Sequence, residues 1–347
     1  MTTTADRPLA NCLTDVVGLA VGHHQRTGRG WRTGTTVALL PPGSVVGVDV
    51  RGGGPGTRET DLLDPLSTIS TAHAICLTGG SAYGLAAAQG VMTVLEQRGI
   101  GFEVGRPQTP DHGVVPLVPA AVIFDLARGG TFAHRPDASF GERATRSART
   151  TPSPNGTVGA GTGARAGGLQ GGLGTASATL TLDDGDREVV VAALVVVNSV
   201  GTVIDPSTGV PWERGDDLLG APTDRQRAAL ARTADAARPP LNTTIGIVAT
   251  TALLSKAEST KLAAVGHAGL APAIRPAPGL FDGDTLFGVA TGRDDLTGDT
   301  TRRRTARLDA VLAAAAQCVA RACTNAVVRA DGPNSYRALC PSAFRPT

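Results

Sequence analysis

Nine consecutive apolar residues, Val189-Val190-Val191-Ala192-Ala193-Leu194-Val195-Val196-Val197, constrain the fold more than any other stretch. A membrane-crossing helix needs about 20 such residues, and this run is rich in β-branched side chains, so it reads as a buried strand. Ser177-Ala178-Thr179-Leu180-Thr181-Leu182 precedes it, and the two read as a hairpin around Asp183-Asp184-Gly185-Asp186. The long strand ends in Asn198. An amide at the tip of a buried strand must be satisfied. It either caps the following turn or aims a donor into a cleft, one recognised way to hold an oxyanion.

A second run, Ile245-Gly246-Ile247-Val248, is entered through Leu241-Asn242-Thr243-Thr244. On its own this is a buried strand opening with a β-branched pair. It also admits a chemical reading. Threonine is a weak nucleophile, but a threonine at a chain N-terminus carries its own base, an α-amine with an unperturbed pKa of roughly 7.7–8.0. For Thr243 that requires a cut between Asn242 and Thr243. Pro239-Pro240 stops the preceding helix and delivers an extended segment into this bond.

The other segments alternate without repeats or low-complexity linkers, which favours one layered domain over residues 1–347. Strands are expected at residues 16–21, 35–40 and 45–50, separated by Gly28/Gly30 and Pro41-Pro42-Gly43. His23-His24 ends the first; adjacent strand residues face opposite ways, so they do not make a metal pair. A buried strand at 73–77 turns through Thr78-Gly79-Gly80-Ser81 into a helix from about 82 to 97. That junction either binds an anion at the helix start or serves tight packing. Residues 114–126, with two prolines, read as a buried loop entering a strand. Capping boxes at Thr223-Asp224-Arg225-Gln226 and Ser255-Lys256-Ala257-Glu258 open helices to about 238 and 267. Arg302 to about 328 reads as a long Ala-rich helix whose Arg302-Arg303-Arg304 forms a solvated first turn.

With 45 Gly but only 7 Phe, 2 Trp and 2 Tyr, the core must be Val, Ala, Leu and Ile, with close backbone approaches. The loop Arg51-Gly52-Gly53-Gly54 is either such an approach or a plain turn. Gly161-x-Gly163-x-x-Ala166 has the letters of a dinucleotide fingerprint, with Asp183 as acidic partner. No strand precedes it and no helix follows, so it is not read as one.

A net charge of +2 gives no footprint for nucleic acid. The first residues lack an apolar signal region, no run is long enough to span a membrane, and a cytoplasmic location is expected. Five Cys, an odd number without a CxxC pair, are assigned to packing. Asp282 and Asp284 stand two apart before a strand. They make an incomplete cation site without a His or third acid; in a nucleophilic scheme a carboxylate orients the Thr243 amine or hydroxyl and helps a proton move.

Taken together, the chain resembles the DmpA-like L-aminopeptidase/D-esterase family, which includes the NylC-type nylon-oligomer hydrolases. The resemblance covers essentially the whole chain, through Thr14-Asp15-Val16-x-Gly18, Asp49-x-Arg51-Gly52-Gly53, Leu77-Thr78-Gly79-Gly80-Ser81-Ala82-Tyr83-Gly84-Leu85, Val158-Gly159-Ala160-Gly161-Thr162-Gly163-Ala164, Val197-Asn198, Asn242-Thr243-Thr244-Ile245 and Asp282-Gly283-Asp284-Thr285-Leu286-Phe287. It implies an α/β fold, an αββα sandwich of the DmpA/ornithine acetyltransferase type, akin to N-terminal-nucleophile hydrolases. It also implies a precursor cut into residues 1–242 and 243–347 that stay packed together. By the same resemblance Thr243 attacks the preceding carbonyl and later the substrate amide, Asn198 stabilises the oxyanion, and Asp282 and Asp284 support cleavage and orient the nucleophile. Members are usually homo-oligomers, here expected as a dimer or tetramer, and need no metal or organic cofactor.

The implied substrates are small peptides, amino-acid amides or esters, or ω-amino-acid (6-aminohexanoate, nylon-type) oligomers. The alternatives are an acyltransferase of the ornithine acetyltransferase kind and a non-catalytic binding protein with an uncut chain. Two positions depart from the family pattern. Relatives often carry a Lys in the stretch matching residues 166–172, where Gly168 and Gln170 stand here, and nylon-oligomer hydrolases place a Tyr where this chain has Phe124.

Overall fold

The computed structural model describes residues 9–182, 185, 188–235, 242–277, 279–298 and 300–344. Asp183, Asp184 and Asp186 of the expected hairpin turn, and the expected extended segment at Pro239-Pro240, lie outside the described residues. In chain order the main elements are β1 (Ala20–Gly28), β2 (Trp31–Leu39), β3 (Val45–Val50), β4 (Thr57–Arg58), β5 (Ala74–Thr78), α1 (Ala87–Gln97), β6 (Ala120–Val122) and α2 (Ala138–Ser147). Then come β7 (Gly172–Thr181), β8 (Glu188–Asn198), α3 (Asp224–Asp235), β9 (Thr243–Ala252), α4 (Lys256–Gly266), β10 (Thr285–Asp294) and α5 (Thr301–Val328).

The apolar run of β8 shows why the chain layers as it does. Successive side chains of a strand point to opposite faces. Val191, Ala193, Val195 and Val197 pack with Leu262 of α4 and Cys318, Val319, Ala322 and Cys323 of α5. Ala192, Leu194 and Val196 face the other way, onto Ala38, Ile75, Leu77 and Ile123. A strand apolar on both faces needs cover on both, and here a helix layer and a second sheet provide it. That second sheet is covered in turn, through Val37, Ala74 and Cys76, by Val91 and Leu95 of α1 and Ala144 of α2. The result is the expected αββα sandwich.

One sheet has the order β1-β2-β5-β6-β4 and the other β7-β8-β9-β10-β3. All pairs are antiparallel except β5 with β6 and β9 with β10. Every residue of β9 is buried. The 28-residue α5 is long enough to cross a membrane, but its apolar stretch is 78 % buried inside the protein, as a core helix is.

Two local expectations change. The first strand begins at Ala20 instead of residue 16 and continues through His23-His24 to Gly28. A turn at Gly18, with φ +95°, separates it from the buried Val16. Its histidines do face apart: His23 lies between Thr36 and Ser153, and His24 lies edge-on to Phe140. The basic turn opening α5 is solvated at Arg302 and Arg303 only, because Arg304 forms a two-armed pair with Glu258 at 2.6 and 3.0 Å. All five cysteines are free and buried.

Candidate active site

Strand pairing assembles the site. Asn198, the last residue of β8, stands opposite Thr243, the first of β9, and Ile245 of β9 stands opposite Thr285 of β10. The end of β8, the start of β9 and the Asp282-Gly283-Asp284 turn before β10 therefore meet at one end of the sheet. By the two-residue alternation Thr243 shares the inter-sheet face with Ile245 and Ile247, and Asn198 shares it with Leu194 and Val196.

Thr243 is only 5 % exposed. Its hydroxyl donates to the carbonyl oxygen of Asn242, the residue just before it. The Gly283 N–H donates to that same oxygen at 2.9 Å, and the Asn242 N–H donates to Phe281 O at 3.1 Å. Residue 242 is thus strapped to the acidic turn. A Cβ on Gly283 would lie 2.7 Å from Gly54 O and 2.9 Å from the Thr243 hydroxyl, so glycine is required for this approach. Gly52 allows the other side to close: a Cβ there would fall 2.2 Å from Asp284 N. The glycine loop after β3 is therefore a close backbone approach, one of its two expected readings.

Asp282 accepts from Gly279 N at 2.8 Å and Val200 N at 3.3 Å. Asp284 accepts from Thr244 N at 2.6 Å. Burial pushes both carboxyls up, Asp284 to about 7, with the charge of Asp282 adding to the rise and the bonds to Thr244 opposing it. A carboxyl poised near neutrality suits proton transfer. Neither is bonded to the Thr243 hydroxyl in the uncut chain. Asp284 holds the peptide after Thr243, and Asp282 holds the turn whose Gly283 N–H meets the carbonyl before it. Among the described residues no group of three His, Cys, Asp or Glu could hold a metal ion.

Asn198 is fully buried. Its Oδ1 accepts from Arg128 Nη1 at 2.6 Å and Arg165 N at 3.0 Å, and its Nδ2 donates to Phe124 O at 3.3 Å. Its amide therefore meets the Phe124 carbonyl, and the main-chain donor on the Asn242 carbonyl is Gly283. The other arm of Arg128 donates from Nη2 to Asn242 Oδ1. Burial, helped by the nearby Arg165 charge, lowers Arg128 to about 10, which leaves it protonated at neutral pH.

The sequence reading missed Arg128 and Gly283. Gly283 carried a signal, as the centre of a tight Asp-Gly-Asp turn with an available N–H. Arg128 carried none: it follows Ala127, at φ +57°, in an irregular loop. Gln170, in the stretch where relatives often have a Lys, is buried and structural. It donates to Ala164 O and Gly171 O, both at 2.9 Å, and accepts from Arg32. At the Thr78–Ser81 junction the Gly80 N–H is taken by Asp125 at 2.7 Å, so the protein supplies its own anion there. Gly159–Gly161 forms a short 3-10 turn and Arg165–Ala166 pairs with Leu169–Gln170, neither of which makes a dinucleotide site.

The profile of peptidase family S58 matches residues 11–338. An uncharacterized aminopeptidase of Mycobacterium tuberculosis is 48% identical over 96% of this chain and 99% of its own length. A 6-aminohexanoate-oligomer endohydrolase of Kocuria sp. is 32% identical over 81% of this chain and 75% of its own. Among solved structures, the L-aminopeptidase D-Ala-esterase/amidase of Ochrobactrum anthropi, described as a variant of the Ntn hydrolase fold, superposes with a TM-score of 0.70 at 20% identity, covering 94% of this chain and 89% of that one. A β-aminopeptidase from Burkholderia sp. superposes with a TM-score of 0.68 at 23% identity, covering 97% and 95%. These two likenesses carry the fold, and the profile match with the sequence relatives carries the family: the chain belongs to peptidase family S58, with the DmpA-type aminopeptidases, and is an amide-bond hydrolase.

Proposed function

We propose that the chain cuts itself between Asn242 and Thr243 and then works as an N-terminal-threonine amide hydrolase. The observation that carries this is the Thr243 hydroxyl resting on the carbonyl of Asn242 while Gly283 N–H holds the same oxygen. Attack of Oγ1 on the Asn242 carbonyl carbon forms a tetrahedral centre whose oxyanion Gly283 N–H stabilises. The C–N bond breaks, the nitrogen takes the hydroxyl proton, and an ester joins Asn242 to Thr243. Water then hydrolyses that ester, leaving an Asn242 carboxylate and a Thr243 with free α-amine. Asp284, near neutral pKa, accepts from Thr244 N–H and so fixes the peptide that follows the nucleophile.

In the cut enzyme the α-amine serves as base, Thr243 Oγ1 takes the substrate acyl group and releases the amine, and water frees the acid. Asn198, fixed by Arg128, offers its amide to the substrate oxyanion. Small peptides, amino-acid amides or esters, and ω-amino-acid oligomers fit this scheme. The two kinds of sequence relative named above support that range, and Leu280 and Phe281, 79% and 59% exposed beside Asp282, give apolar surface for a substrate chain.

The test is mass spectrometry of the purified protein under denaturing conditions. The expected species are residues 1–242 and 243–347. Thr243→Ala is expected to stay whole and inactive while Thr244→Ala is still cut; an uncut wild-type chain with activity unchanged in Thr243→Ala would end the proposal. Adding an amine acceptor to the assay separates hydrolysis from acyl transfer.

A further inference from the structure

Three arginines from three separate segments converge beside Asn198. Arg32 comes from β2, Arg128 from the loop after β6, and Arg165 from the short hairpin in which it pairs with Gln170. Two of them bond Asn198 Oδ1, Arg128 through Nη1 at 2.6 Å and Arg165 through its main-chain N–H at 3.0 Å. Arg32 is tied to the same hairpin, since its Nη2 donates to Gln170 Oε1. It also lies along the Arg128 loop: a Cβ on Gly129 would stand 3.1 Å from its Cδ and Nη1. Arg128 is buried, Arg32 half-buried and Arg165 exposed, so the three lead from the reacting atoms out to solvent.

The charge at this edge is one-sided. Burial lowers Arg32 and Arg128, and the nearby charge of Arg165 lowers both further, so its guanidinium lies on the side of the site. Among the described residues the carboxylate that opposes it at Arg128 is Asp125, which is sealed from solvent and accepts from Gly80 N at 2.7 Å. A cleft edge lined by one sign of charge draws in the opposite sign, and the planar fork of a guanidinium matches a carboxylate. Short peptides and ω-amino-acid oligomers share one such group, the terminal carboxylate, and cleavage behind the amino-terminal residue leaves it on the departing amine. We infer that Arg165, with Arg32 beside it, is a specificity-determining residue that receives the free carboxylate at the leaving-group end of the substrate. Unblocked short peptides and oligomers are therefore preferred over the corresponding amides and esters. This rests on the reading of the chain as an amide hydrolase acting through Thr243.

The experiment follows cleavage of the Ala–Ala bond in L-Ala-L-Ala and in L-Ala-L-alaninamide by chromatography of the products. It uses the wild type, Arg165→Lys, Arg165→Gln and Arg165→Glu, with rates taken per cut chain. In the wild type kcat/KM for the free acid is expected to exceed that for the amide by about tenfold at low salt, between the effect of an exposed ion pair and that of a buried charge-assisted bond. The ratio should shrink as the screening length falls from about 30 Å at 0.01 M to about 3 Å at 1 M ionic strength. Arg165→Lys should keep most of it, Arg165→Gln should bring it close to one, and Arg165→Glu should make the amide the better substrate. Each ratio is internal to one variant, so a general loss of activity cancels, and the salt series reads the same contact on the wild type alone. A wild-type ratio near one at low salt, a ratio that does not move with salt, or the wild-type ratio retained in Arg165→Gln and Arg165→Glu would overturn the inference. Hydrolysis of both peptides by Thr243→Ala would instead remove the nucleophile on which it rests.

Discussion

On one side of Thr243 stand Asp282 and Asp284, and on the other Arg128 and Asn198, all buried. The acidic side is held by main-chain N–H groups, from Gly279 in its own turn, from Val200 just past β8 and from Thr244 in β9. On the basic side, side-chain bonds from Arg128 join the main-chain ones that Asn198 makes with Arg165 N–H and Phe124 O. Arg128 reaches across 70 residues of sequence to Asn198 and 114 to Asn242. It comes from the loop after β6, in the other sheet. The acidic wall thus follows from the pairing of three adjacent strands, whereas the basic wall depends on how one sheet sits on the other. Burial acts on both, raising the carboxyls and lowering the guanidinium, so each is shifted toward its neutral form.

The sharpest way to break this contrast is Gly283→Ala. The added Cβ would meet Gly54 O and the nucleophile together and move the N–H from the Asn242 carbonyl. Loss of one such donor costs about 10²–10³ in rate, and self-cleavage followed by mass spectrometry should slow at least that much. Cleavage at the wild-type rate would show that the acidic turn does not grip the scissile carbonyl.

Asp284→Asn tests the electrostatic half. The folded carboxyl, at about 7, lies above the ordinary 3.8. The unfolded chain therefore gives up this proton first, and stability is expected to fall as pH rises from about 4 to about 7, by at most about 4 kcal/mol. The amide has no such titration. Relative to wild type, Asp284→Asn should melt higher at pH 8 than the same comparison gives at pH 5, while its activity drops. A melting difference independent of pH would mean that Asp284 is not held protonated by its surroundings.

The smallest effect is expected at Gln170→Lys, which puts a lysine into the stretch where relatives often have one. Here it would press an ammonium against Arg32 and lose the carbonyl acceptors' amide partner, costing about 1–3 kcal/mol with no gain in rate. A faster enzyme would show that residue 170 bears on the reaction and not only on packing.

The same contrast decides what could be read from the chain. The β8 run, the Asn198 tip, the capping box at Ser255 and the Asp-Gly-Asp turn are local patterns, and the structure places each as a strand, strand end, helix start and turn. The reading of Thr243 needs only sequence neighbours, since hydroxyl, preceding carbonyl and strand start are consecutive. Arg128 was not, since its meaning lies in partners on other strands. Nor was the offset of the first strand, which a turn at Gly18 sets. Asn198 was found as a polar tip, yet its orientation toward Phe124 O came from Arg128 and Arg165, which no spacing announces.

The strand order β7-β8-β9-β10-β3 has a consequence for assembly. A break before Thr243 leaves β9 and β10 on the downstream piece, wedged between β8 and β3 of the upstream one. The two pieces share one continuous ladder, and neither can leave without unzipping both margins at once. Made separately, the downstream piece would have to insert two strands into a slot already closed by the upstream core. For the proposed cut before Thr243, the connectivity therefore requires the chain to fold whole before it is divided.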